Sequence, residues 1–274
     1  MVFKTSSNLR WPGGKHVMMK VLDDYFPTKN INKYLEVFTG GGSVLFHAIQ
    51  RYKPSLVYAN DIDTNLINYY NGVKDNPEKV ISECIELKNK YDKNSFKSVF
   101  KELDKSIPSN FLALNRSSFS GISNSFSPTA FDDNFNMSSI NSVNEISKII
   151  KNVNFINNDF KDLDEVIPEK IEGFFIYLDP PYYGNRNKGL YGNKGVLHKD
   201  FDHEGLFEWV KKHSENNLIM ISYDNDKHIR EVYKDYYLYD FDFTYCMTNP
   251  GGNKAKTGKE LVIVNYDLQF NPLF

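Results

Sequence analysis

The stretch with the clearest chemistry is FFIYLDPPYYG at 174–184. Its apolar, aromatic start reads as a buried strand, and it ends in one carboxylate, two prolines and two adjacent tyrosines. Asp179 supplies an acceptor at the mouth of the strand. Pro180 and Pro181 remove two backbone donors and stiffen the turn, so that neighbouring carbonyls face outward as acceptors. Tyr182 offers a flat ring at a fixed position. Two acceptors and a ring are complementary to an amino group on a planar conjugated ring, such as N6 of adenine. The lone pair of such an amine is delocalised, so its attack on an electrophilic methyl group depends on alignment and charge placement. A plain loop turn after a strand is the bland alternative.

A second stretch, YLEVFTGGGSVLFHAI at 34–49, reads as strand, glycine turn and helix. Glycines allow a tight turn and close approach of a ligand to the backbone. Asp61 follows about twenty residues after Gly41, where an acid can hold two ribose hydroxyls. This spacing fits a nicotinamide dinucleotide, a flavin or S-adenosylmethionine. Two details favour the last. Glu36, just before the turn, suits a ligand with a positive group and repels a pyrophosphate. Ser43, Val44 and Leu45 also stand where a dinucleotide motif needs its third glycine. Upstream, LRWPGGKHVMM sets a rigid Trp11-Pro12 step beside Gly13-Gly14, and Lys15 starts a helix with an amine suited to a carboxylate.

The elements that must position these residues recur along the chain. Strand-like runs cover 34–38, 56–61, 153–159, 174–179, 218–223, 237–243 and 261–266, with helical patterns at 43–52, 63–75 and 203–215. Alternating strands and helices imply an open, mostly parallel sheet covered on both faces. The interval from Asp61 to Val153 far exceeds the dozen or so residues of a crossover, so a lobe is inserted. It opens with helical sequence at 78–90 and 95–104, then reads as loop or irregular hairpin through FLALNRSSFSGISNSFSPTAFDDNFNMSS. The expected division is a catalytic domain from 1–66 and 150–274, with a target-recognition lobe at 67–149; a helical elaboration that only covers one face of the sheet is the bland alternative.

Composition excludes several classes. The 274 residues are 41% hydrophobic and 15% aromatic, enough for a full core. A formal charge of −2 means that any nucleic-acid site must come from local basic segments. Cys84 and Cys246 are distant and without ligand-spaced neighbours, against a disulfide scaffold or zinc site. No apolar run approaches a membrane span, so a cytoplasmic protein is expected. His198 and His203 flank Asp200 and Asp202, but this run reads as a loop with Asp202 as helix N-cap, and no metal is expected.

Together, RWPGGK, EVFTGGGSV and LDPPYYG resemble the motifs of the Dam-type, D12-class DNA adenine-N6 methyltransferases, in the same order. FLALNRSSFSG and GGNKAKTGKELVIVNY resemble further family segments, so the likeness spans nearly the whole chain. The resemblance implies a seven-stranded, Rossmann-like S-adenosylmethionine methyltransferase fold. It implies that Trp11, Lys15, Phe38, Gly40, Asp61, Asp159 and Phe160 hold the cofactor, with Glu36 and Gly42 beside them. Asp179 would touch cofactor and target, and Tyr182 would stack on an adenine flipped out of double-stranded DNA. An acid before Pro-Pro-Tyr favours adenine over cytosine N4, an RNA base or a protein glutamine; a catalytically dead DNA-binding protein is the alternative from another class. Where GATC-reading members carry a basic hairpin, ISNSFSPTAFDDNFNMSS holds no Lys or Arg, so the target sequence is not implied. DNA contacts are expected from Arg116, from Arg186, Lys188, Lys194 and Lys199 in the basic run 185–199, and from Lys254 and Lys256 in 251–259. Phe119 and Phe126 are candidate wedges or lobe packing. A cognate restriction endonuclease is a candidate partner, and a monomer or weak dimer is expected.

Overall fold

The computed structural model describes residues 7–185, 201–244 and 257–268. All seven expected strands form: β1 (Lys33–Glu36), β2 (Leu56–Asn60), β3 (Val153–Ile156), β4 (Phe175–Leu178), β5 (Leu218–Asp224), β6 (Tyr237–Thr244) and β7 (Thr257–Val264). They build one sheet in the order β3-β2-β1-β4-β5-β7-β6. The pairs β2–β3, β1–β4 and β4–β5 are parallel, whereas β7 is antiparallel to both β5 and β6. This is the mostly parallel, Rossmann-like α/β sheet expected from the sequence. The chain moves outward from β1 and later returns to place β4 beside it. Ligands of open α/β sheets bind at the carboxyl ends of strands where the order reverses in this way.

The chain divides into two compact units, one running up to Met19 and over Phe38–Asp159, the other formed by Lys20–Val37 and the residues from Phe160 on. In the first, the helix Ser43–Tyr52 matches its expected bounds, and Thr64–Asp75 is capped by Asp63, whose carboxylate accepts from the amides of Asn65 and Leu66. The expected 78–90 and 95–104 helices appear as Pro77–Lys90 and Lys93–Val99.

The segment 111–139 corrects its expected irregular character. It contributes to the helices Pro108–Arg116, Pro128–Asp133 and Met137–Ile150, with irregular backbone between the first two and a single bridge from Ser118 to Phe126. The Ser and Asn residues that suggested a loop are caps. Ser127 accepts from the Ala130 amide, while Asn136 and Ser139 form a reciprocal capping box. Phe111, Leu112 and Leu114 are buried, and their helix packs on Thr64–Asp75 and Pro77–Lys90. Phe96, Phe100, Phe126, Phe131 and Phe135 form an aromatic cluster nearby in sequence and space. Phe126 therefore packs the lobe, whereas Phe119 is 69% exposed.

In the second unit, Phe174 to Leu178 and Ile219 to Tyr223 are buried throughout. The helix His203–His213 buries Leu206, Trp209 and Val210, and Asp202 caps it through the Gly205 amide as its sequence suggested.

Candidate active site

The glycine turn belongs to the first unit, and its shape is set by what the glycines lack. Gly40 and Gly42 have φ of 47° and 73°. A Cβ on Gly40 would lie 2.8 Å from Trp11 Nε1, one on Gly41 2.7 Å from Trp11 Cβ, and one on Gly42 2.7 Å from the Tyr70 hydroxyl. The indole of Trp11 thus lies directly against the turn, so the two motifs meet. Trp11 is held by its own turn, in which the Gly14 amide donates to the Trp11 carbonyl at 3.0 Å and Gly13 takes φ 73°. Pro12 then Gly13 is the pairing a type II turn requires. Lys15 is buried, and its Nζ donates to the Gly13 carbonyl at 3.1 Å.

Asp61 ties the turn to the end of β2. It accepts from the Gly40 amide at 2.8 Å through Oδ2 and from the Asp63 amide at 3.0 Å through Oδ1. Desolvation raises its pKa to about 6, only partly opposed by those amide bonds. Asn60 exchanges two hydrogen bonds with the backbone of Asn158, which sets the chain leading to Asp159. Phe38 and Asp159 lie just beyond strand ends, half-buried. Phe160 is buried against Phe201 in the second unit.

A residue that sequence reasoning missed organises this half. Asn115 is fully buried and accepts from the Arg10 amide while donating to the carbonyls of Arg10 and Gly121. The helix Pro108–Arg116 and the turn at Gly121 therefore grip the residue before Trp11. Gly121 is required for this approach, because a Cβ there would fall 1.8 Å from the Arg10 carbonyl oxygen. The neighbouring Arg116 is half-buried, and burial lowers its pKa; its Nε has no hydrogen-bond partner among the described residues. The other expected DNA contacts, Arg186, Lys188, Lys194, Lys199, Lys254 and Lys256, lie outside the described residues.

The second unit carries the Asp-Pro-Pro-Tyr turn. Register places Glu36 of β1 beside Tyr177 of β4, and Tyr177 beside Met220 of β5. Because side chains alternate along a strand, Tyr34 and Glu36 share one face, as do Met220, Ser222 and Asp224. Glu260 of β7 is the cross-strand partner of Asp224. A polar stripe thus runs across otherwise apolar strands. The Tyr34 hydroxyl donates to Glu36 at 2.5 Å, and Glu36 is 2% exposed. Ser222 donates to Asp179 Oδ1 at 3.0 Å and lies 2.7 Å from the Tyr177 hydroxyl.

Two acids grip the turn itself. Glu260, buried, accepts from the Tyr182 hydroxyl at 2.5 Å, and the ring of Tyr182 lies 6.2 Å from that of Tyr223. Asp224 accepts from the amides of Tyr183 and Gly184 at 2.9 and 2.7 Å. Desolvation raises the pKa of Asp224, and burial beside Asp179 and Glu260 raises that of Tyr182, which keeps its proton. Tyr183 stacks on His228 at 4.5 Å and meets His203 edge-on, while His203 Nδ1 forms a short hydrogen bond with the Tyr223 hydroxyl. Pro180 is buried and Pro181 half-buried. Ser222, Asp224 and Glu260 had one sequence signal: polar or acidic residues within or at the edge of apolar runs, which are costly unless partnered.

The chain matches the model of the D12 class N6 adenine-specific DNA methyltransferases over residues 11–247. It belongs to that family. The match takes in EVFTGGGSV, LDPPYYG and all of RWPGGK but Arg10. Methyl transfer to N6 of adenine in DNA is accordingly the activity of this D12-class chain. Among curated proteins it is 26% identical to the type II methyltransferase M.MjaIII of Methanocaldococcus jannaschii, covering 94% of this chain and 98% of that one. It is also 26% identical to the type II methyltransferase M1.LlaDCHI of Lactococcus lactis subsp. cremoris, over 96% and 98%. A DNA adenine methylase of Haemophilus influenzae is 26% identical over 82% of each chain.

The residues present fit S-adenosylmethionine by their chemistry. In the first unit Asp61 and Asp159, beyond the ends of β2 and β3, are acids suited to hydroxyl and ammonium groups and opposed to a pyrophosphate; in the second unit Glu36 ends β1. Lys15 supplies a buried cation beside the Trp11 turn. No helix among the described residues is long and apolar enough to cross a membrane.

Proposed function

We propose that the chain methylates N6 of an adenine flipped out of double-stranded DNA, using S-adenosylmethionine, as the modification partner of a type II restriction endonuclease. The observation that carries this reading is the Asp-Pro-Pro-Tyr turn after β4, with Asp179 held by Ser222 and Tyr182 held by Glu260. When bound, the cofactor would supply a methyl group on a positively charged sulfonium, whose S–CH3 bond breaks to leave a neutral thioether. Trp11, Lys15, Phe38, Gly40, Gly42, Asp61, Asp159 and Phe160 would hold it, with Glu36 near its ammonium.

Asp179 and the Pro180 carbonyl accept the two N6–H groups, which favours a tetrahedral nitrogen whose lone pair is free to form the new N–C bond. The nitrogen becomes acidic only as that bond forms, so Asp179 need not be a strong base beforehand; the surplus proton then leaves to water or to Asp179. Tyr182, anchored at its hydroxyl, keeps its ring face for the base. Extruding the base costs roughly a few kcal/mol, which the pocket contacts must offset. Residues 67–149 form the target-recognition lobe, with Arg116 and the basic runs 185–199 and 251–259 contacting DNA. The names of the two type II relatives support the link to restriction.

Expression in a host without adenine methylation, followed by single-molecule sequencing, tests this reading. N6-methyladenine at one short recurrent sequence is expected; N4-methylcytosine, or no modified base, would overturn it.

A further inference from the structure

Proton counting around Ser222 shows how the catalytic carboxylate is held. Ser222 is fully buried on β5, and Tyr177 is fully buried on β4. A serine hydroxyl has one proton. That proton is directed to Asp179 Oδ1 at 3.0 Å. The 2.7 Å contact between the Tyr177 hydroxyl and Ser222 Oγ must then run from tyrosine to serine. Burial raises the pKa of Tyr177 well above its ordinary value, so the tyrosine keeps the proton it donates. The result is a one-way chain, Tyr177 to Ser222 to Asp179, anchored in two adjacent parallel strands with buried centres. The strand pairing that builds it sets Leu178 beside Ile221, one residue before Ser222.

We propose that Ser222 is a positioning residue for methyl transfer, and that Tyr177 sets the direction of its proton so that Asp179 presents a fixed carboxylate to the target amine. Neither side chain needs to touch the substrate. The chain is a core feature with a functional output: replacing it by apolar atoms of similar shape would leave packing intact and remove the hydrogen bond that orients Asp179 Oδ1. This rests on the reading of Asp179 given above, and the test separates the two.

The experiment compares wild type, Ser222→Ala, Ser222→Cys and Tyr177→Phe with a methyl-accepting DNA duplex and labelled S-adenosylmethionine. For S222A, kcat is expected to fall by about 10- to 100-fold, the effect of losing a hydrogen bond to a charged group. KM for DNA and the dissociation constant of the cofactor should stay within about twofold of wild type. S222C, which keeps a weak donor, should recover part of the rate, and Y177F should lose less than S222A. A crystal structure of S222A should show Asp179 turned from its wild-type rotamer. Wild-type kcat in folded S222A, or a loss carried by KM alone, overturns the proposal. If S222A does not fold, Y177F decides: an unchanged kcat overturns it, and a lowered kcat with unchanged KM supports it. A wild-type protein that transfers no methyl group to DNA would instead sink the proposed function.

Discussion

The glycine turn and the Asp-Pro-Pro-Tyr turn both follow a parallel strand, yet they are built by opposite means. The first is shaped by missing atoms. Trp11, Phe46 and Tyr70 occupy the space that side chains on Gly40, Gly41 and Gly42 would need. The second is shaped by added charge: Asp224 holds the amides of Tyr183 and Gly184, Glu260 holds Tyr182, and Ser222 holds Asp179. A turn that must let a ligand approach its backbone needs small residues. A turn that must present one carboxylate and one ring in fixed directions needs partners that lock their rotamers. The contrast implies that adding a methyl group should damage the first half, whereas removing a polar atom should damage the second.

The largest effect is expected from Asp179→Ala. Methyl transfer should fall by at least about a thousandfold, with the melting temperature within a few degrees of wild type. Filter-bound radiolabel and circular dichroism check this; substantial activity in the folded variant would remove the acid from the centre of the second half. Gly42→Ala is next and probes the first half. The φ of 73° and the 2.7 Å approach to the Tyr70 hydroxyl should cost about 1–3 kcal/mol of stability, and cofactor affinity by calorimetry should fall with it. If Gly42→Ala left both unchanged, the turn would not be defined by absent atoms.

Asn115→Ala sharpens the comparison, because the first half also contains one polar clamp. Loss of its bonds to Arg10 and Gly121 should cost about 2 kcal/mol and weaken cofactor binding more than DNA binding. Equal losses for both ligands would mean that the clamp serves general stability alone. The smallest effect concerns pH. With a folded pKa of about 6 against an ordinary 3.8, native Asp61 binds a proton that the unfolded chain releases. Its contribution to stability therefore rises as pH falls from about 6 toward 4 and is lost as pH rises through 6. Asp61→Asn should lack this slope in melting temperature. In the wild type, cofactor affinity should change in the opposite sense, weakening below pH 6 as the carboxylate is neutralised.

The strands and most helices were legible because their signals are local. Apolar runs bounded by turn residues mark strands wherever they occur, and the helix Ser43–Tyr52 announces itself by its periodicity and by the glycine before it. The segment 111–139 misled for an equally local reason. Ser127 and Asn136 are as suited to capping helices as to forming loops, and composition does not separate the two. Only burial of Phe111, Leu112 and Leu114 against neighbouring helices decides between them.

The sequence by itself determined the chemistry: an acid, two prolines and a tyrosine after a buried strand, a glycine turn with acids and no third glycine, and the order of three motifs. These are covalent neighbours, and their meaning survives without coordinates. Tertiary structure alone decided what holds them. Trp11 against Gly40, Asn115 on Arg10, Ser222 on Asp179 and Glu260 on Tyr182 join residues that are 29, 105, 43 and 78 positions apart. The contacts of Ser222 and Glu260 follow from strand order and register. Placing β7 antiparallel between β5 and β6 is what brings Glu260 opposite Asp224, and a register of β5 or β7 shifted by one residue would turn Ser222 or Glu260 to the other face.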